Sequence, residues 1–388
     1  MAQVTEQRQE ALRTAVDGHK VVVVCGTGGV GKTTMSSALA LDAALRGQRV
    51  LVMTIDPARR LADSLGVSGK LNTASQIDVE GLLGRAPAEG GSLHAMMLDA
   101  KGTWDSLVRR LIKDPELQAR VFANRYYVRA SESLSGSQEY MAMERLLEVS
   151  KSPDYDLIVL DTPPSRNALD FLEAPSRMVK MLAEGGLKWI KIAGGGRFSS
   201  NKAGRTLFGK SRAGMFSVFE RFTGGEVIAG IAEFVTITGE IFEGMKVNAG
   251  EVMNLLRSDE ATFLLVASPN RISLSEALYF HDRLQEATIP FSGFVINRVR
   301  PPRQGDSEGS REPWDVLPSR PELTGWNEAV EALWDNHKRR VRWSSVDQHH
   351  IGALQQQCGK GPFYVEIPEL EGEVHDLQAL NHLIQYFR

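Results

Sequence analysis

The sequence predicts an α/β protein: a doubly wound, mostly parallel sheet covered by helices on both faces, with a helical subdomain inserted into it. Three features of the 388 residues carry this expectation. Short β-branched or aliphatic runs alternate with helical stretches along most of the chain. Several of those runs are apolar on both faces, as strands buried in a parallel sheet are. Residues 171–258 interrupt the alternation with no convincing strand. Hydrophobic residues make up 42 % and charged residues 24 % of the chain, which is globular usage and excludes disorder, collagen and coiled coil.

In chain order the expected strands are Lys20–Cys25, Val50–Ile55, Leu93–Leu98, Leu157–Leu160, Thr262–Ala267, Phe291–Ile296 and Phe363–Ile367. In the interrupting stretch Ile228, Ile231, Phe234, Val235, Ile241, Phe242 and Met245 recur at helical spacing. Between Arg300 and Trp326, Pro301, Pro302, Pro313, Pro318 and Pro321 stand among Gly, Ser and charged residues, which predicts an exposed loop at 300–326. The expected organisation is a sheet domain from residues 18–170 and 259–388, a helical subdomain at 171–258, and that loop. No internal repeat suggests a second copy of the sheet domain.

Lys+Arg 45 against Asp+Glu 48 gives a net charge of −3, so nothing global predicts nucleic-acid binding. Two cysteines, Cys25 and Cys358, cannot build a disulfide framework, a four-Cys zinc site or an iron–sulfur cluster ligated by this chain alone. Residues 1–20 mix charged and polar side chains without an apolar core, unlike a secretory leader. The longest apolar runs, Val21–Cys25 and Phe263–Ala267, are strand-sized and far short of a membrane span. The expectation is a soluble, cytoplasmic protein.

The strongest chemical signal is Gly26-Thr27-Gly28-Gly29-Val30-Gly31-Lys32-Thr33-Thr34, directly after a strand. It fits G-x-x-x-x-G-K-[ST] in the order strand, loop, helix. The glycines let backbone N–H groups turn inward toward phosphate oxygens, and the helix N-terminus adds its positive end. Lys32 neutralises β/γ-phosphate charge, and the Thr33 hydroxyl suits Mg²⁺, a hard cation that bridges phosphates. Gly28, Gly29, Val30, Gly31 and Thr34 complete the candidate nucleotide-binding loop. Gly26, Gly28 and Gly31 also read as a dinucleotide turn, with Asp56 as its ribose acid. Lys32-Thr33 argues against that alternative, because it puts a cation and a metal ligand where such a turn has apolar packing. Two acids fit the phosphate loop: Asp161 closes a strand, as the acid that reaches the Mg²⁺ water shell does, and Asp56 closes another, where it can orient or deprotonate a water.

Together, the loop 26–34, Asp56-Pro57-Ala58-Arg59-Arg60-Leu61-Ala62-Asp63, Asp161-Thr162-Pro163-Pro164, Val295-Ile296-Asn297-Arg298-Val299, Ser268-Pro269 through Glu276, and Ile367-Pro368-Glu369-Leu370 resemble the ArsA and tail-anchored-protein targeting (GET) ATPase family. The resemblance spans nearly the whole chain in the right order. It implies an ATPase of the deviant Walker A type that uses ATP and Mg²⁺, sandwiches nucleotide at a dimer interface, and moves a helical subdomain with nucleotide state. It further implies that Lys32 and Thr33 hold phosphate and Mg²⁺, and that Asp56 acts on water as the catalytic residue beside Lys32. By the same resemblance Thr33, Asp56 and Asp161 surround the metal, Asn297 binds the adenine, and Pro368 and Leu370 line it.

The chain departs from the family in four places. The signature lysine that reaches across the dimer is Thr27 here. The Gly-His of the second switch is replaced by Arg166-Asn167 after Ser165. The arsenite-binding cysteine cluster and the zinc-bridging C-x-x-C pair are both absent. Two assemblies remain open: a heterodimer with a paralogue that keeps the lysine, or a homodimer using another cation such as Arg59 or Arg166. Residues 177–212 hold nine Lys and Arg against Glu184 alone, a net +8, interleaved with Trp189, Phe198 and Phe208. Such a stretch suits an anionic lipid surface or an acidic partner as well as a solvated face. The functional expectation is Mg²⁺-dependent ATP hydrolysis that handles a protein or other client; the alternative is an ATP-binding regulatory subunit with little hydrolysis of its own.

Overall fold

A computed structural model describes residues 12–56, 60–67, 71–125, 127, 128, 131, 137–163, 173, 174, 177, 180, 239–300, 325–370, 372 and 374–387. The chain divides into two compact units: Met1–Met97, Pro153–Ala168 and Leu256–Arg388 form one, and Leu98–Ser152 with Leu169–Leu255 the other.

The first unit is built on an eight-stranded sheet in the order β3-β4-β2-β5-β1-β6-β7-β8. Its strands are β1 (Val21–Gly26), β2 (Arg49–Thr54), β3 (Ser75–Gln76), β4 (Ser92–Met97), β5 (Leu157–Asp161), β6 (Ala261–Ala267), β7 (Phe291–Val299) and β8 (Phe363–Pro368). Every neighbouring pair is parallel except β3 with β4. All seven expected strands are present within a few residues, and the two-residue β3 carries too little pattern to have been foreseen. The apolar runs do what their composition demands: Val21 to Val24 of β1 and all seven residues of β6 are buried. β1 lies between β5 and β6, with Val24 opposite both Asp161 and Leu264. The chain thus reverses its direction of winding around β1, the place where open α/β sheets leave a crevice at the carboxyl ends of the strands.

Helix α1 (Lys32–Leu45) follows β1 and carries Ala38, Ala40, Ala43 and Ala44, all fully buried. Small side chains let it pack close to the sheet, where Val22, Val24, Val50, Val52, Val159 and Leu264 meet it in one core. The short α2 (Arg60–Ser64) follows β2, and a five-residue α3 (Val79–Leu83) precedes β4. Cys25 is buried and its thiol is pushed up to about 12 by that burial; the half-buried Cys358 is pushed up to about 11 for the same reason. Both stay protonated at neutral pH, so Cys25 behaves as a core residue.

In the second unit, α4 (Ala100–Leu111), α5 (Pro115–Ala123), α6 (Ser137–Ser150) and α7 (Gly239–Arg257, as far as Leu255) pack their apolar stripes together. Trp104, Leu107, Val108, Tyr140, Met141, Ile241, Met245 and Ala249 form its core. A Cβ on Gly244 would lie 2.5 Å from Leu111 Cδ1, so glycine permits the close approach of α4 and α7. The buried Glu144 carboxylate binds the Arg110 guanidinium (2.9 Å), the Asn248 amide (2.8 Å) and the Tyr140 hydroxyl (2.8 Å). Among the described residues, α4, α5 and α6, expected in the sheet domain, pack with α7 instead. An amphipathic period shows that α4 has an apolar face but not which helix will cover it. Of the apolar positions expected at helical spacing, Ile241 and Met245 are buried in α7. Ile228, Ile231, Phe234, Val235 and the Phe242 side chain lie outside the described residues, as do 301–324 of the expected loop and all of the basic stretch except Arg177 and Lys180.

In the first unit the long α9 (Trp326–Cys358), which follows α8 (Arg271–Glu286), is tied to the end of β7 by one buried acid. Asp347, 1 % exposed at its side chain, accepts hydrogen bonds from the Arg300 backbone N–H (3.1 Å), Nε (2.8 Å) and Nη2 (2.6 Å). Removing a buried partner leaves the remaining charge uncompensated. Asp347→Ala is expected to lower stability by about 2–4 kcal/mol, read as a drop in the urea midpoint, with Asp347→Asn intermediate. An unchanged midpoint in the alanine variant would contradict this role.

Candidate functional site

The loop between β1 and α1 is shaped by backbone constraints that only glycine meets. Gly26 has φ of 152°, and a Cβ there would lie 2.1 Å from the Val266 carbonyl oxygen of β6. Gly31, at φ of 93°, precedes α1 without a side-chain cap, so the first N–H groups of the helix remain available to an anion. Gly28 and Gly29 are exposed at the tip, whereas Val30 is buried beneath it. Lys32 is 6 % exposed and curls back so that Nζ donates to the Thr27 carbonyl at 2.9 Å. Burial lowers its pKa, and the neighbouring Asp161 carboxylate opposes that shift.

Asp161 ends β5 beside the loop and is almost fully buried. Its Oδ2 accepts from the Thr33 hydroxyl at 2.7 Å and from the Thr54 hydroxyl at 2.9 Å, while its buried Oδ1 has no hydrogen-bond partner. Desolvation pushes its pKa up to about 6, against the opposing pull of those hydroxyls and Lys32. Thr54 also accepts from the Asp56 backbone N–H at 3.2 Å. The Asp56 carboxylate, with its side chain 14 % exposed, meets Arg60 Nη1 at 3.0 Å. Thr162 fixes the start of the following segment by donating to the Val24 carbonyl at 2.8 Å. Thr34 is half-buried in the first turn of α1.

Lys32, Thr33, Asp56, Asp161 and the glycine loop are thus gathered at the carboxyl ends of β1, β2 and β5. Asn297, near the end of β7, touches the loop, as its amide Nδ2 donates to the Val30 carbonyl at 2.8 Å. Pro368 ends β8 in register with Val299, and Leu370 packs against the core of the first unit. Thr27 Oγ1 stands 3.4 Å from Ser273 Oγ of α8, which itself accepts from the Ser268 backbone N–H. Pro57, Ala58, Arg59, Pro164, Ser165, Arg166 and Asn167 lie outside the described residues. Three residues were not foreseen: Thr54, Thr162 and Ser273. Each is a hydroxyl at a strand or helix end; Thr162 and Ser273 stood inside segments that carry the resemblance without a role of their own, and Thr54 read simply as a strand residue.

The donor set fits Mg²⁺. An unpartnered, buried carboxylate oxygen beside a threonine hydroxyl offers hard oxygen ligands and an uncompensated negative charge. A mostly parallel sheet with a glycine loop, a Lys-Thr pair at the helix start and a buried strand-end acid defines a P-loop nucleotide-binding protein. The model of the anion-transporting ATPase domain matches residues 19–194. The chain is 28 % identical over 282 residues to the ATPase GET3 of Malassezia globosa, covering 72 % of each. It is 27 % identical over 287 residues to the ATPase get3 of Aspergillus niger, covering 73 % of this chain and 74 % of the relative. The chain is thus similar to the ArsA/GET ATPases over its nucleotide-binding half and along most of its length.

A buried carboxyl that titrates near 6, against about 3.9 in an unfolded chain, binds its proton more tightly when folded. Stability from this group is therefore present below about pH 4 and is lost as pH rises through 6. At about 1.4 kcal/mol per unit the penalty at pH 7 approaches about 3 kcal/mol. The ligand-free Asp161→Asn variant is expected to unfold at higher urea than wild type at pH 7 and at the same urea at pH 4. A variant less stable at pH 7 would contradict the burial of an unsatisfied charge.

Proposed function

We propose that this chain binds ATP with Mg²⁺ and hydrolyses it, and that the nucleotide cycle serves the handling of a protein or other client in a dimer. The observation that carries this reading is the unpartnered Oδ1 of Asp161, held within the same hydrogen-bonded group as Thr33 and the phosphate loop. Loop N–H groups and Lys32 hold the phosphates; Thr33 and Asp161 hold the Mg²⁺, with Asp56 at the margin of its water shell. When bound, Mg²⁺ would supply positive charge against the negative charge of the phosphates. Asp56 positions the attacking water and accepts its proton, which requires its carboxylate to turn from Arg60. Pro368 and Leu370 line the base.

Thr27 shapes the second half of the proposal. A hydroxyl cannot supply the charge that the family's signature lysine carries across the dimer, and a cation acting in trans is worth about 10³–10⁵ in rate. The chain on its own therefore turns over slowly, and a paralogue carrying the lysine completes its site. The same observation favours a second reading, an ATP-binding regulatory subunit that supports a catalytic partner. The basic residues of 177–212 are offered as a transient contact with anionic lipid or an acidic partner. A cytoplasmic location and no role for nucleic acid complete the proposal.

Asp56→Asn is expected to keep ATP affinity within about threefold while phosphate release falls at least 100-fold, roughly the loss of one general base. Undiminished turnover would remove Asp56 from the chemistry. In a homodimer of the chain alone, Thr27→Lys is expected to raise turnover about tenfold or more, a modest part of what a trans cation supplies. Rapid turnover by the wild-type chain alone, unchanged in the lysine variant, would rule out the missing-cation reading.

A further inference from the structure

β7 does not end as a regular strand. Its register with β8 slips between Asn297 and Val299, leaving Arg298 bulged at φ of 63°. Bulges at strand ends re-aim the side chains beside them, and a non-glycine residue in the left-handed region persists only where its surroundings hold it. Here the holding group is Asn297 itself, whose Oδ1 accepts from the Arg298 backbone N–H at 3.0 Å. The other end of the same amide, Nδ2, donates to the Val30 carbonyl at 2.8 Å. It also fills the space that a side chain on Gly31 would need, since a Cβ there would sit 2.5 Å from Nδ2. The whole side chain is buried, Asn297 being 8 % exposed. Acceptor and donor ends are thus both engaged within the chain, one on the bulge and one on the loop.

We infer that Asn297 is a positioning residue of the phosphate loop: its buried amide pins the Val30 carbonyl and the left-handed Gly31 to the bulged end of β7, presetting the loop for phosphate whatever base the nucleotide carries. The inference rests on the triphosphate site proposed above. Val30 and Gly31 immediately precede Lys32 and Thr33, so an error in their backbone is passed directly to the cation and to the hydroxyl. The pin joins segments 267 residues apart in sequence, and it orders the loop before any ligand arrives. Preorganisation of this kind raises affinity by removing an ordering cost that binding would otherwise meet.

The test compares Asn297→Ala with wild type for binding of ATP, GTP and inorganic tripolyphosphate, each with Mg²⁺. The expected result is a rise in Kd by a similar factor for all three, about tenfold or more for a lost buried hydrogen bond and an orphaned carbonyl, with the ATP/GTP ratio unchanged within about twofold. Amide hydrogen exchange of the ligand-free protein is the second readout: exchange at residues 28–33 accelerates, while Phe294 to Ile296 of β7 stays protected. Asn297→Asp, matched in shape and retaining the acceptor for Arg298, is the second variant should alanine unfold the chain, and its loop exchange is expected to accelerate likewise. A loss confined to ATP, with tripolyphosphate binding and loop exchange unchanged, would overturn the inference and make the amide a reader of adenine. Wild type that binds none of the three ligands would count against the triphosphate site, and the exchange comparison would then decide the role of Asn297 alone.

Discussion

A carboxylate is costly to bury when one of its oxygens has no donor, and Asp161 is buried in that condition at the end of β5. The strand that delivers it is apolar throughout, so the backbone has no freedom to move the acid into water. Thr33 and Thr54 offset part of the cost through one oxygen, and Lys32 lowers it further by its charge. What is left unsatisfied belongs to a side chain bonded, through its other oxygen, to Thr33 at the start of the helix that follows the loop. The rest of the first unit can be read as the apparatus that holds this imbalance in place. Eight strands fix β5 beside β1, a small-residue helix packs close behind, and the carboxyl ends of the central strands bring acid, hydroxyl and lysine to one point.

That arrangement divides labour between stiff and adjustable parts. The sheet sets positions to within a side chain's reach, and Gly26 is forced by it: any larger residue would collide with the Val266 carbonyl. The loop beyond has exposed glycines at its tip and no partner strand, so its shape depends on a few contacts from elsewhere in the unit. Lys32 binding back to Thr27, and the asparagine at the bulged end of β7 binding Val30, supply such contacts. Thr27, within the loop, lies near Ser273 of α8. The contacts that shape the loop thus come from within the chain.

Much of this was legible in the sequence, for identifiable reasons. Val21–Cys25 and Phe263–Ala267 are apolar on both faces, which happens in soluble proteins chiefly in central parallel strands. Gly-Lys-Thr after such a strand is specific because both its spacing and its chemistry are constrained. The membership of α4 to α6 in the second unit was not legible, since an amphipathic stripe such as Trp104, Leu107 and Val108 names a face and no partner. Thr54 and Thr162 were missed because a hydroxyl at a strand end is common, and its importance arises only when register brings Asp161 or Val24 beside it. The amide of Asn297 was expected at the base. A bulge that turns it toward Val30 has no signature in a strand of apolar residues.

The most direct measurement is a crystal structure of the chain with Mg²⁺ and a non-hydrolysable ATP analogue. The triphosphate is expected within the loop from Gly28 to Thr34, with Mg²⁺ on the Thr33 hydroxyl and the previously unpartnered oxygen of Asp161 engaged by the metal or its water shell. Nucleotide bound elsewhere, or bound in the loop with that oxygen still unpartnered, would contradict the reading of Asp161 as the buried charge around which the site is built.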